Sequence, residues 1–129
     1  MEVCVDSLES TIAAYEGGAK RVELCSSLNE GGLTPSFGLV RSVQKYLSSQ
    51  RQQDGEEKNF EINCMIRCRS GDFVYDDHEM EQMEEDAKKF VELDVNGLVF
   101  GALTPQVVKI SISIFILSSH INSFVVVVV

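Results

Sequence analysis

The sequence predicts an α/β fold with a parallel sheet, and three features of the chain support that prediction. Short apolar runs alternate with longer stretches whose apolar residues recur at helical spacing. The apolar runs are nearly continuous, as in strands that are buried on both faces. Turn residues such as Gly17-Gly18 and Asn96-Gly97 separate the runs. The resulting order, β-α-β-α-β-α-β, is typical of an open doubly wound sheet or of a (β/α)8 barrel.

The first unit is a strand, a helix and a second strand. Residues 2–6, EVCVD, predict the first strand, and Asp6 with Glu9 three positions later offers a capping-box-like helix start. We expect this helix to end at Gly17-Gly18, because glycine favours helix ends. Residues 21–25, RVELC, predict the second strand.

The middle of the chain repeats the pattern. Pro35 and Ser36 precede a helix that we predict over residues 37–49. The polar and charged span 49–59 predicts a surface loop. Residues 60–68, FEINCMIRC, predict the third strand.

The last repeat is followed by a segment of different character. Asp76 and Asp77 cap a helix predicted to end near Leu93, and residues 97–103, GLVFGAL, predict the fourth strand. From residue 110 onward the chain contains no Asp, Glu, Lys or Arg, and it ends in five valines. Its serines and its strand-like alternation argue against a transmembrane helix. We expect this apolar tail, residues 106–129, to lie outside the fold formed by residues 1–105.

Charge and cysteine usage limit the classes of partner. The formal net charge of −9 argues against nucleic acid and anionic membranes, because both bind basic surfaces. The N-terminal residues MEVCVDSLES lack the basic segment and long apolar stretch of a signal peptide. We therefore expect a cytoplasmic protein, with the nucleus as the alternative compartment, and we expect its four cysteines to stay reduced.

Four stretches of the chain together resemble a known family. In order, MEVCVDS, GGAKRVELCSSLNEGGLTPSFG, MIRCRSGDFVY and GLVFGALT are similar to the N-terminal half of the CutC copper homeostasis family. The resemblance covers residues 1–105 and implies about four βα units of a (β/α)8 barrel of roughly twice this length. Two departures stand out: Cys68 and Ser70 replace a proline and a glycine, and the family's downstream Thr-Phe-His-Arg-Ala-Phe-Asp motif is absent.

Two cysteines form the first candidate site. Strand parity places Cys4 and Cys25 on the barrel interior, on adjacent strands about 4.8 Å apart, and paired thiolates suit a soft ion such as Cu(I). The resemblance implies the same metal at these two positions. The alternative is that both are small buried hydrophobic residues. Cys64 and Cys68 fall on the opposite face, about 13 Å apart, so we expect them to be core residues and not joint ligands.

Charged residues form the second candidate site. Chemistry in such folds sits at the C-terminal ends of the strands, and Glu23, Arg67, Arg69 and Asp72 are found there. A carboxylate beside guanidinium groups could bind an anionic small molecule, because arginine contacts oxyanions in a bidentate manner. The alternative is a cluster of structural salt bridges.

Three functions remain open from the sequence. The first is a copper homeostasis protein that binds Cu(I) at the barrel mouth and is not expected to be an enzyme. The second is an enzyme that acts on a small anionic substrate at the C-terminal face of the barrel. The third is a non-functional truncated product, because half a barrel exposes sheet edges. Pairing with a second copy of the chain would cover such edges.

Overall fold

Strands and helices alternate along the chain, as predicted. A computed structural model describes residues 1–54, 59–103 and 123–126. The elements, in chain order, are β1 (Glu2–Val5), α1 (Leu8–Glu16), β2 (Arg21–Leu24), α2 (Phe37–Asp54), β3 (Glu61–Ile66), α3 (Asp77–Glu92), β4 (Gly97–Phe100) and β5 (Ser123–Val126).

The strands form one parallel sheet whose spatial order is the chain order, β1-β2-β3-β4-β5. Each helix therefore connects neighbouring parallel strands, which confirms the predicted α/β class. The register sets the geometry of the interior face. Cys4 pairs with Glu23, Glu23 pairs with Asn63, and Asn63 pairs with Gly97. These four residues form one level across the sheet.

The start of α1 differs from the sequence prediction. Its N-cap is Ser7, whose Oγ accepts from the Ser10 N–H at 3.1 Å, while the Ser7 N–H donates to Ser10 Oγ at 3.2 Å. The predicted cap, Asp6, is the residue before and has another role: its carboxylate accepts from the Leu28 N–H at 3.3 Å. Asp6 therefore connects the end of β1 to the loop that follows β2.

Helix α2 extends further than predicted. It continues to Asp54, so most of the span 49–59 that we expected to be a loop is helical, and residues 55–58 lie outside the described residues. The Ser48 and Ser49 hydroxyls donate to the Gln44 and Tyr46 carbonyls at 2.9 and 2.6 Å. The prediction was wrong because an exposed helix turn and a surface loop have the same polar composition.

The C-terminal tail contributes to the sheet. Ser123–Val126 pairs in parallel with β4, although we expected residues 106–129 to lie outside the fold. The remainder of that tail is outside the described residues. No helix in the part of the chain that the structure describes is long and apolar enough to cross a membrane.

The two faces of the sheet have different compositions. The helix-facing side carries the hydrophobic core, in which alternate strand residues pack against the buried faces of the helices, since successive side chains point to opposite faces. Its strand members are Val5, Val22, Leu24, Ile62, Cys64, Ile66, Leu98 and Phe100, and its helix members include Tyr15, Val40, Val43, Met80, Met83, Ala87 and Phe90. The opposite, interior face carries the polar and sulfur-containing residues of the candidate site.

The capping box of α3 provides a test of the local energetics. The Asp76 carboxylate accepts from the Glu79 N–H at 2.9 Å, and Glu79 accepts from the Asp76 N–H at 2.9 Å. We predict that Asp76→Ala lowers the free energy of unfolding by about 1 kcal/mol, because the helix loses its N-cap. Urea unfolding followed by circular dichroism measures this loss. Glu81→Ala, on the exposed side of α3, is the control, and an equal loss there would contradict the capping explanation.

Candidate functional site

The loop between β2 and α2 folds back compactly over the end of the sheet. Ser26 and Leu33 form an antiparallel bridge, and a short 3₁₀ turn, Leu28–Glu30, lies between them. Gly31 and Gly32 follow with φ values of +84° and +87°. Glycine suits this conformation because it has no Cβ to clash. The glycine pair of the sequence is therefore the reversal that brings the loop back to the sheet.

Arg67 holds this loop in place. Its side chain is only 8% exposed, and its Nη1 donates to the Glu30 and Gly32 carbonyls at 3.1 and 3.3 Å. Its Nη2 donates to the Gly71 carbonyl in the β3–α3 loop at 2.9 Å. A buried charge requires such partners. One guanidinium therefore fixes the loops that follow two adjacent strands.

The backbone of Arg67 adds to this connection. Its carbonyl accepts from the Thr34 N–H at 2.9 Å, and its own N–H donates to Thr34 Oγ1 at 2.9 Å. The guanidinium carbon also lies 4.6 Å from the centroid of the Phe73 ring, at the distance of a cation–π contact. Arg67 is thus a structural residue at the C-terminal end of the sheet.

The two candidate copper ligands contact one carboxylate. Cys4 is the in-register partner of Glu23 and interacts with its carboxylate, and Cys25 Sγ lies 3.8 Å from Glu23 Oε1. The register corrects our expectation that Cys4 and Cys25 are direct cross-strand neighbours. Cys25 lies two residues beyond the partner of Cys4, so the pair is diagonal. Cys4 is exposed and Cys25 is 1% exposed.

The electrostatic environment of these thiols is acidic. Burial and the Glu23 carboxylate raise the pKa of Cys25 to about 12. Burial, then Glu23, then Glu2 raise the pKa of Cys4. Burial and the charge of Glu2 raise the pKa of Glu23 itself. Each charged side chain that shifts the pKa of these two thiols is negative. A cation is therefore the kind of ligand that this environment favours.

The other two cysteines lie on the opposite face. Cys64 is fully buried within the core cluster, and Cys68 packs against that cluster. Burial raises the pKa of both thiols. This placement agrees with the parity argument, which assigned both residues to the core.

Arg69 and Asp72 belong to a separate network. Arg69 forms an ion pair with Glu79 and a second, 3.3 Å, ion pair with Asp72, and it donates to the Val74 carbonyl at 2.7 Å. Its guanidinium carbon lies 5.1 Å from the Tyr75 ring centroid. The structure therefore separates our predicted anion cluster: Arg67 and Arg69 both have protein partners, and they stabilise different loops.

A cavity of about 190 Å³ opens beside the candidate site. It lies at the C-terminal end of β3 and β4, and its lining includes Glu23, Met65, Arg67, Phe73 and Val99. Sequence reasoning did not select Met65 as a site residue, although strand parity places it on the same face as Arg67. A larger cavity, of about 740 Å³, lies between α2 and the end of α3. Its lining contains none of the candidate site residues.

The arrangement limits what metal site could form. Within residues 1–54 and 59–103, no three His, Cys, Asp or Glu side chains gather closely enough to hold a metal ion. The donors that the site does offer are soft thiols beside a carboxylate. Such donors fit a soft ion of low coordination number and not a hard, oxygen-coordinated ion.

Comparison with known proteins identifies the family. The family model described as the CutC family matches residues 1–116. The chain belongs to the CutC family. The match reaches beyond residue 105, where we expected the family resemblance to end.

Over the matched residues, relatives in this family are nearly half identical to the chain. The Drosophila melanogaster copper homeostasis protein cutC homolog is 46% identical over 107 residues, which cover 82% of this chain and 36% of that protein. The Homo sapiens homolog is 46% identical over 104 residues, covering 81% of this chain and 34% of that protein. The chain thus spans about a third of the length of these CutC relatives.

A solved CutC structure supports the architecture. The crystal structure of the putative copper homeostasis protein CutC from Streptococcus agalactiae superposes with a TM-score of 0.77 at 33% sequence identity, and covers 97% of this chain and 57% of that one. Together with the parallel sheet in chain order, this match confirms a partial (β/α)8 barrel.

Thiol reactivity tests the role of Glu23. We predict that Glu23→Gln increases the alkylation rates of Cys4 and Cys25, because removing the negative charge lowers both thiol pKa values and raises the thiolate fraction at a given pH. Alkylation by iodoacetamide between pH 7 and 10, followed by peptide mass spectrometry, measures the rates. Cys64 is the internal control, because Glu23 does not contribute to its pKa shift. Unchanged rates at Cys4 and Cys25 would refute the electrostatic assignment.

The structural role of Arg67 predicts a loss of stability. Arg67→Ala removes three hydrogen bonds to loop carbonyls, so we expect the free energy of unfolding to fall by about 2 kcal/mol. Arg41→Ala, on the exposed side of α2, should change it by less than about 0.5 kcal/mol. Urea unfolding of both variants makes the comparison, and equal losses would argue against the role we assign to Arg67.

Proposed function

We propose that this chain is a copper homeostasis protein that binds Cu(I) through Cys4 and Cys25. The observation that carries the proposal is the meeting of both thiols at the Glu23 carboxylate, on the interior face of two adjacent strands. The charged side chains that act on these thiols are carboxylates, so they favour a bound cation. Thiolate donors select a soft one.

The register favours a metal over a disulfide between the two cysteines. A strand spacing of about 4.8 Å and an offset of two residues, each about 3.3 Å, give a Cα separation of about 8 Å. Disulfides need Cα atoms within about 7 Å. A bridging ion extends the reach of the two side chains, so the pair suits a metal better than a covalent link.

Binding at this site requires proton release. The pKa of each thiol is raised, so both cysteines are protonated at neutral pH. Each sulfur gives up its proton when it binds the metal. We therefore expect Cu(I) affinity to increase as the pH rises.

The family supports the general function, copper homeostasis, and not the choice of ligands. The Drosophila melanogaster and Homo sapiens relatives carry the name copper homeostasis protein. Since the chain spans about a third of their length, transfer of that function to this chain is itself part of the proposal. The cytoplasm is the compartment we propose for it, with the nucleus as the alternative.

We favour the thiol site over the two other functions considered. An enzyme acting on an anionic substrate would need free guanidinium groups, but both Nη atoms of Arg67 already donate to loop carbonyls, and Arg69 is paired with carboxylates. Of the Arg67 donors, only the buried Nε lacks a partner among the described residues. Copper binding by the isolated chain decides between these possibilities.

The experiment compares two cysteine variants of the full 129-residue chain. We predict that Cys4→Ser combined with Cys25→Ser removes Cu(I) binding, because the soft donors are lost. Competition with a chromophoric Cu(I) chelator under anaerobic, reducing conditions measures affinity and stoichiometry. Cys68→Ser, on the opposite face, is the control and should bind like the unmodified chain.

Two results would contradict the proposal. The first is an unmodified chain that takes no Cu(I) from the chelator. The second is a double variant that binds with unchanged affinity, which would move the site elsewhere. Circular dichroism of each variant establishes that the fold is retained.

A further inference from the structure

A third sulfur lies at the same end of the sheet. In the pairing of β2 with β3, Leu24 is the partner of Cys64, so Cys25 and Met65 follow at the next level of the two strands. Adjacent strands are about 4.8 Å apart. Cys25 therefore has the thioether side chain of Met65 as its cross-strand neighbour on the interior face.

The loop backbone at Gly32 gives a direct measure of how close these sulfurs are. A β-carbon placed on Gly32 would lie 2.9 Å from Met65 Sδ and 3.2 Å from Cys25 Sγ. The two sulfurs are thus separated by no more than the sum of these distances. Only a residue without a side chain allows the backbone to rest against both sulfur atoms.

The same loop is the one that Arg67 fixes. Its Nη1 donates to the Gly32 carbonyl at 3.3 Å, and Gly32 is buried. Gly32 therefore covers the sulfur pair, and the Arg67 hydrogen bond holds it there. Met65 is half-buried and, with Glu23, lines the 190 Å³ cavity.

We propose that Met65 is the third ligand of the Cu(I) site, which then consists of Cys4, Cys25 and Met65. This inference rests on the proposed copper function. Cu(I) accepts thioether as well as thiolate sulfur. Each cysteine thiol loses its proton to solvent on binding, whereas Met65 binds as a neutral donor and releases none. An all-sulfur set of this kind selects Cu(I) over ions that prefer nitrogen or oxygen.

A silver titration provides the first test and needs no change to the ligands. Ag(I) is a redox-stable soft ion that serves as the probe. With methyl-¹³C methionine, we expect one equivalent of Ag(I) to shift the ε-methyl resonance of Met65. The resonances of Met80 and Met83, which are buried in the helix-side core, should not move. A Met65 resonance that stays in place while Ag(I) binds would overturn the inference.

Met65→Leu provides the second test. Leucine keeps the volume and apolar character of methionine, so the fold should be retained, and Met83→Leu is the matched control. We expect X-ray absorption of the Cu(I)-loaded chain to fit three sulfur neighbours in the unmodified protein and two in Met65→Leu. Chelator competition should give an affinity at least about tenfold weaker for Met65→Leu and unchanged for Met83→Leu.

The outcomes separate this inference from the proposed function. If the unmodified chain binds Cu(I) with two sulfur neighbours and Met65→Leu binds equally well, Met65 is not a ligand, and the two-cysteine site stands. If the unmodified chain binds neither Cu(I) nor Ag(I), the copper function fails, and the assignment of Met65 fails with it. Three sulfur neighbours that persist in Met65→Leu would also overturn the assignment.

Discussion

The buried guanidinium of Arg67 is the constraint on which the barrel mouth depends. It contributes donors to carbonyls of two loops that follow adjacent strands, and its backbone is joined to Thr34 at the end of the first of these loops. Because its charge is buried, these hydrogen bonds cannot be exchanged for water without a large cost. The position of Gly32, which covers the interior sulfurs, depends on this side chain together with the Ser26–Leu33 bridge of the same loop. Arginine at this position thus connects the two loops that border the candidate site.

The two faces of the sheet carry different kinds of side chain. On the helix side, apolar residues such as Leu24, Ile66 and Phe100 pack to exclude water, and this burial supplies most of the stabilisation. On the interior side, Cys4 and Glu23 lie near Glu2, whose carboxylate is ion-paired with Arg21. Because successive side chains of a strand point to opposite faces, adjacent residues of one strand lie in different surroundings. Cys64 and Cys25 show that identical side chains have different neighbours according to the face they occupy.

Sequence reasoning was accurate where local interactions decide the structure. The bounds of α3 were predicted closely, because Asp76 and Glu79 form a capping box that depends on residues three positions apart. The end of α2 was not predicted, because the Ser48 and Ser49 hydroxyls donate to carbonyls of the preceding helical turn. Composition does not reveal such hydrogen bonds. The N-cap of α1 is Ser7, one residue after the predicted Asp6, because the Asp6 carboxylate instead accepts from the Leu28 N–H of a later loop.

The sequence by itself determined the alternation of strands and helices, the parallel class of the sheet and the face on which each cysteine lies, because these follow from periodicity and short-range signals. It also carried the family resemblance that the comparisons confirmed. Only the tertiary structure decided which residues meet. The register sets Cys4 beside Glu23 and not beside Cys25, and the fold of the glycine loop brings Gly32 onto the sulfurs of Cys25 and Met65. Strand register and loop closure are long-range properties, fixed by packing between segments that are far apart in the chain.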